Sequence, residues 1–188
     1  MNVYGILPFA RLLLANAAHE GDTVVDATVG NGHDTVYLAE LVGPSGSVYG
    51  FDIQKTALDA TRDRLQQKGL QERVALIHDG HEQLGSYIPQ ERTIHAAVFN
   101  LGYLPGHDKA IITGPKTTIT AVEELMIRLK KGGIIVLVVY HGHPGGDTER
   151  DQLRDFTRSL PQEKWHVLEY GFTNQKNHPP FLIGIEKK

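Results

Sequence analysis

The chain contains no cysteine. That excludes disulfides, thiolate metal sites and cysteine nucleophiles together. An excess of positive charge is also missing: 19 Lys and Arg stand against 22 Asp and Glu, a formal net charge of −3. Phosphate contacts usually come with a basic surface, so the balance counts mildly against nucleic acid as substrate, and no DNA partner is expected. A small enzyme gripping one RNA loop through a local patch remains open. No apolar run is long enough to span a bilayer: residues 12–18 soon meet charge and lack the basic segment that precedes an export signal. A cytoplasmic location without a membrane partner is the expectation. No internal repeat, low-complexity segment or linker breaks the 188 residues. One domain over 1–188 is expected, with 1–20 as an N-terminal helical segment.

Glycine is present where it matters. Val24-Val25-Asp26-Ala27-Thr28-Val29-Gly30-Asn31-Gly32-His33-Asp34 reads as a buried strand, a glycine turn and the start of a helix. A second strand, Ser47-Val48-Tyr49-Gly50-Phe51, ends on Asp52-Ile53. Glycines let the backbone approach a ligand, and an acid at the end of the next strand can bind both ribose hydroxyls, so a nucleoside-bearing cofactor is indicated. A dinucleotide fingerprint places a third glycine three residues after the second, where this chain has Thr35. Asp34 at the helix start would repel a diphosphate, whereas Asp26 and Asp34 together suit a cationic ligand. The pattern Asp26-x-x-x-Gly30-x-Gly32 resembles the first motif of the class I S-adenosylmethionine-dependent methyltransferases. With Asp52 in register it favours a methyltransferase over a dehydrogenase. The candidate cofactor contacts in these segments are Asp26, Thr28, Gly30, Asn31, Gly32, Asp34, Asp52 and Ile53.

Hydrophobic periodicity predicts strands near 23–27, 47–51, 73–77, 94–99, 133–140, 164–170 and 181–186. Helices are predicted near 34–42, 55–68, 80–87, 117–131 and 148–159, and an N-terminal helix presents Phe9, Leu12, Leu13 and Ala17. The run 134–140 is almost wholly apolar and β-branched, as a strand covered on both faces should be. Strands alternating with helices imply an α/β doubly wound sheet with right-handed crossovers. The last two strands are joined by 171–180, too short for a helix, and should pair antiparallel at the edge. The expected fold is therefore a seven-stranded, mostly parallel sheet with an antiparallel last strand, Rossmann-like in the manner of class I methyltransferases.

Residues beyond the C-terminal strand ends face the ligand crevice of such a sheet. After the third strand, Asp79 is a candidate for the adenine amine, with Gly80 and His81 beside it; the plainer reading of Asp79 is a helix cap. The fourth strand runs into Asn100-Leu101-Gly102-Tyr103-Leu104-Pro105-Gly106-His107-Asp108-Lys109, where a transferred methyl would meet its acceptor. Amino-group methyltransferases place Asn or Asp, two small or rigid residues and an aromatic here. Asn100-Leu101-Gly102-Tyr103 is similar in kind but has Leu-Gly for their two prolines. The candidate proton acceptors are His107, Asp108, His141 and His143. His141-x-His143 invites a metal, but spacing supplies no obvious third ligand, and no metal is expected. Lys109, Lys116 and Lys176 are the candidate phosphate contacts, with Gly102, Asn177 and His178 as further candidates on the substrate side.

The blocks Asp26 to Gly32, Asn100 to Gly106, Tyr140 to Gly146 and Asn177 to Pro180 together resemble a bacterial family labelled rRNA methylases, whose members are associated with tRNA wobble-uridine methylation. The resemblance covers most of the chain. It implies methyl transfer from S-adenosylmethionine to the amine of 5-aminomethyl-2-thiouridine in tRNA, by a homodimer. His107 departs from the family pattern, which has glycine there. Two other readings stand beside it: a small-molecule N- or O-methyltransferase, and a module that binds S-adenosylmethionine without turnover.

Overall fold

Strict alternation along the central strands decides how the sheet is covered. In β5 (Leu129–Val139), Ile135, Leu137 and Val139 join one buried cluster, while Ile134, Val136 and Val138 join another on the opposite face. Both faces are dry, which is why this stretch is apolar without interruption. Each such side chain taken fully out of water contributes about 1.5–3 kcal/mol. The computed structural model describes residues 2–102 and 113–188.

The remaining strands are β1 (Thr23–Asp26), β2 (Ser47–Phe51), β3 (Val74–Ile77), β4 (Ile94–Leu101), β6 (Trp165–Tyr170) and β7 (Phe181–Lys187). They form a seven-stranded sheet in the order β3-β2-β1-β4-β5-β7-β6. The first five strands pair in parallel, and β7 runs antiparallel to both β5 and β6. The expected architecture and edge hairpin are as the alternating pattern implies.

One face is covered by α1 (Ile6–Ala17), α2 (His33–Leu41) and α3 (Lys55–Lys68), the other by α4 (Leu84–Tyr87), α5 (Pro115–Arg128) and α6 (Gly146–Arg158). Helix α1 lies along β5 and β4. Its buried stripe is Ile6, Ala10, Leu14 and Ala17, with Phe9 and Leu13 flanking, and Leu12 is exposed. The expected face was thus rotated by part of a turn. Phe9 stacks on Tyr170 at 4.2 Å between ring centroids, and the Tyr170 hydroxyl donates to the Tyr4 carbonyl, so α1 is fastened to the edge hairpin.

Several boundaries differ from the periodicity reading. Helix α5 stops at Arg128 rather than 131, because buried Leu129 turns extended and pairs with Ile94. The predicted helix at 80–87 is a 3-10 turn, His81–Gln83, followed by the single turn of α4. Strand β4 also runs two residues past 99, so Asn100 is a strand residue, paired with Val138.

At the end of β1, Asp26 is wholly buried. Its carboxylate accepts from the Thr35 hydroxyl at 2.6 Å and from the Thr28 amide at 3.2 Å. The side chain at the position of the missing third glycine therefore has a task, clamping the turn from behind. Burial, with Asp34 and Asp52 nearby, raises the Asp26 pKa to about 7. An unfolded chain releases this proton near pH 3.8, the folded one only near 7. Stability from this group is therefore complete below the lower value and declines as pH rises through the window. Relative to Asp26→Asn, wild type should lose on the order of a few kcal/mol between pH 4 and 7. Urea midpoints across that range test this; parallel curves for the two proteins would refute it.

Candidate active site

The parallel strands end together, and their ends enclose a cavity of about 750 Å³. It lies beside the β1–β4 junction, where the chain reverses its direction of winding across the sheet. Gly30 and Asn31 carry the wall next to β1, with Gly32 just behind them. Gly32 has φ +76°, and a Cβ there would sit 2.5 Å from the Thr61 hydroxyl, so α3 packs against bare backbone. That hydroxyl in turn donates to the Gly30 carbonyl at 3.1 Å.

Asp52, just past β2, ties two turns together. One oxygen accepts from the Gly30 amide and the other from the Gln54 amide, both at 2.8 Å. Each oxygen retains a lone pair toward the cavity, which Asp52 lines. Ile53 beside it is 56% exposed, an apolar surface open to a flat ring. Asp79 accepts from the Gly80 amide and from the Tyr87 hydroxyl, each at 2.8 Å. Asp79 also lines the cavity. His81 is 8% exposed; its Nδ1 meets the Ala27 carbonyl at 3.0 Å, and burial lowers its pKa, keeping the ring neutral.

The opposite side of the cavity is built around Asn100. Its amide donates to the Thr28 hydroxyl at 2.7 Å, and its Nδ2 donates to Asp34 at 2.9 Å. Asp34 is in the first turn of α2, where the helix dipole favours an acid. The other oxygen of Asp34 is held by Arg11 of α1. Opposite, Tyr140 and His143 come from the end of β5. Burial, and then the charge of Asp34, raise the Tyr140 pKa.

Behind this wall lies a second buried acid, Glu149, 2% exposed. It accepts from the hydroxyls of Thr113 and Thr118 at 3.0 and 3.3 Å. The Thr113 hydroxyl accepts from the Gly102 amide at 2.9 Å, and the Thr113 amide returns a bond to the Gly102 carbonyl at 3.0 Å. Gly102 has φ +143° with Tyr140 close by, a place for a residue without Cβ. Burial raises the Glu149 pKa, opposed by the two threonines and by the nearby charge of His143.

Of the sequence-derived candidates, Thr28, Gly30, Asn31, Asp34, Asp52, Ile53, Asp79, Gly80, His81, Asn100, Gly102, His143 and His178 line the cavity. Asp26 and Gly32 stand behind its wall, shaping the turn. His141 also stands back: its Nε2 meets the Pro179 carbonyl at 3.2 Å, which ties the β6–β7 connection to β5. Asn177 and His178 both adopt left-handed φ, 64° and 51°, and this strained pair turns His178 to within 5.6 Å of His141, ring to ring. The third group that spacing did not supply is present: His141, Asp147 and His178 cluster, with Asp147 also bound to Arg150 at 2.6 Å. Lys116, Lys176 and Asn177 are exposed and outside the cavity wall. Tyr103, His107, Asp108 and Lys109 lie outside the described residues. Periodicity overlooked Arg11, Thr113, Thr117 and Glu149. Tyr140 alone had a visible signal, the end of the longest apolar strand.

The charge of the wall selects its ligand. Among the described lining residues Arg11 is the one Lys or Arg, and it is already paired with Asp34. Asp34, Asp52, Asp79 and Glu82 are the acids. Such a wall repels a diphosphate and favours a cation. A diol at Asp52, an aromatic base at Ile53 and a sulfonium with an ammonium on the acidic side fit an S-adenosyl group.

Comparison with known proteins agrees. The family described as "Putative rRNA methylase" matches residues 48–186. A chloroplastic tRNA (mnm(5)s(2)U34)-methyltransferase of Arabidopsis thaliana is 39% identical over 187 residues, covering 95% of this chain and 68% of that protein. A solved rRNA-methylase structure from Clostridium thermocellum superposes with a TM-score of 0.97 at 43% identity, covering 100% of both chains. A methyltransferase of Streptococcus mutans, solved in complex with SAH, superposes with a TM-score of 0.91 at 39% identity, covering 99% of both. Matched over most of its length and acidic where a sulfonium would sit, the chain belongs to this rRNA-methylase family and is an S-adenosylmethionine-dependent methyltransferase.

Proposed function

We propose that the protein methylates an amine on RNA, the 5-aminomethyl group of (2-thio)uridine at the tRNA wobble position. The observation that carries the amine is the setting of Asn100. Its backbone is held by Thr28 and its Nδ2 by Asp34, which leaves Oδ1 as a fixed acceptor for a substrate N–H. When bound, S-adenosylmethionine supplies an electrophilic methyl carbon on sulfur. Asp52 would hold the ribose diol, Ile53 and Asp79 the base, and Asp34 would set negative potential near the sulfonium.

An amine needs only a free lone pair, so alignment is the main contribution of the site. Asn100 Oδ1 directs the N–H, and thereby the lone pair. The aminomethyl group is largely protonated at neutral pH, so one proton must leave before the nitrogen lone pair can take the methyl, and the product departs as the methylammonium. His143, which lines the cavity, is the candidate for that proton. The RNA reading is supported by the Arabidopsis relative's name, and exposed Lys116 and Lys176 would meet phosphates outside the cavity. Residues 1–188 act here as one domain, in the cytoplasm and as a homodimer.

Three measurements test the reading. Tritium from labelled S-adenosylmethionine should enter bulk tRNA from cells lacking the modification, and nucleoside mass spectrometry should find it in 5-methylaminomethyl uridine. Label in rRNA instead, or in neither RNA, would refute the tRNA substrate. Asn100→Ala should abolish transfer yet still bind S-adenosylhomocysteine; normal turnover would remove Asn100 from the chemistry. Asp52→Ala should weaken S-adenosylhomocysteine binding by ~1.5–3 kcal/mol in calorimetry, the usual cost of losing a charged acceptor. An unchanged affinity would take Asp52 out of the ribose site.

A further inference from the structure

We propose that Arg11 is a positioning residue for methyl transfer: it turns Asp34 so that Asp34 presents the Asn100 side chain with Oδ1, rather than Nδ2, toward the amine. The inference rests on the reading of Asn100 as the amine acceptor.

The argument begins with what a carboxylate can do. Ionised Asp34 only accepts hydrogen bonds, so the Asn100 atom that faces it must be the amide nitrogen. The orientation of the Asn100 amide is thereby settled by chemistry, provided that the Asp34 carboxylate is itself held. Arg11 holds it. Nε and Nη2 reach the same Asp34 oxygen at 3.3 and 3.0 Å, leaving the other oxygen for Asn100 Nδ2 at 2.9 Å. Arg11 is braced in turn. The Tyr37 hydroxyl donates to the Arg11 carbonyl at 3.0 Å, and the guanidinium carbon lies 4.9 Å from the centre of the Tyr37 ring.

The magnitudes point away from a role in stability. The Arg11 side chain is 42% exposed and that of Asp34 16%, and ion pairs this open contribute little to folding. Orientation is what the pair has to offer. Without Arg11, Asp34 can swing from its place and the Asn100 amide can turn over. A donor would then face the donor N–H of the substrate, and the lone pair would lose its aim. Helix α1, which precedes the first strand of the sheet, thus reaches the reacting atoms through two side chains.

The test compares Arg11→Met, Arg11→Lys and Asp34→Asn with wild type, using tRNA from cells lacking the modification. Arg11→Met should lower kcat by on the order of 10²-fold, as a misaligned reacting group does, with KM and S-adenosylhomocysteine affinity unchanged. Arg11→Lys should recover part of the loss, since an ammonium can still hold one Asp34 oxygen. Asp34→Asn should also lose kcat, because its own amide can donate to Asn100 Oδ1 and favour the inverted orientation. In 15N spectra, the Asn100 side-chain resonance, assigned by its disappearance in Asn100→Ala, should move in Arg11→Met; this reading needs no acceptor RNA. Wild-type kcat with an unmoved Asn100 resonance would overturn the proposal. A parallel loss of S-adenosylhomocysteine affinity and kcat would overturn it too, by making Arg11 part of the cofactor site. Full activity in Asn100→Ala would instead overturn the reading of Asn100 on which it stands.

Discussion

Strands β1 and β4 pair in parallel, Val24 opposite Ala96 and Asp26 opposite Val98, while the helices that follow them pack on opposite faces of the sheet. The chain must part at their C-terminal ends, and the cleft so opened is the cavity. Every feature of the site is measured from that junction. Asp52 reaches it from β2 by clasping Gly30, Asn100 reaches it because β4 continues beyond the end of β1, and Tyr140 follows Leu101 through a backbone bond of 2.9 Å. The pairing also fixes Thr28 beneath Asn100, so the glycine turn and the end of β4 are built as one piece.

Around the junction, acids perform different tasks according to how much water they see. Asp26, wholly buried and held near neutrality in charge, works as a hydrogen-bonded clamp within the turn. Asp52 and Asp34, at the cavity wall, keep lone pairs or potential for a ligand while fastening backbone and side chains. Glu149 lies behind the Asn100 side of the cavity and joins Gly102, Thr113 and α5 through two threonine hydroxyls. A cavity with this distribution of charge suits a cation that carries no phosphate. The same carboxylates that attract it also hold the walls at the right separation.

Legibility in the sequence followed the range of the interaction. Strand spacing, the alternation along 134–139, the glycine turn with Asp52 after it, and the edge hairpin are all local patterns with one structural solution. The fold class and the nature of the cofactor were therefore readable from residues close in the chain. Element ends were less so: Leu129 leaves α5 early because its partner, Ile94, is far away in sequence. Nothing local distinguishes a helix-ending leucine from a strand-starting one.

The side of the cavity around Asn100 depended on contacts that no spacing encodes. Arg11 meets Asp34 across 23 positions, Asn100 meets Asp34 across 66, and Thr113 meets Glu149 across 36. Each joins elements that pack side by side only once the sheet has formed. The two histidines of His141-x-His143 were indistinguishable in sequence, yet the fold sends one to the cavity and the other to the Pro179 carbonyl. By itself, then, the sequence determined the sheet, its covering and the identity of the cofactor, because these follow from periodicity and from residue chemistry at strand ends. Tertiary structure alone decided which polar side chains face one another, because hydrogen bonds act over about 3 Å and depend on which elements become neighbours.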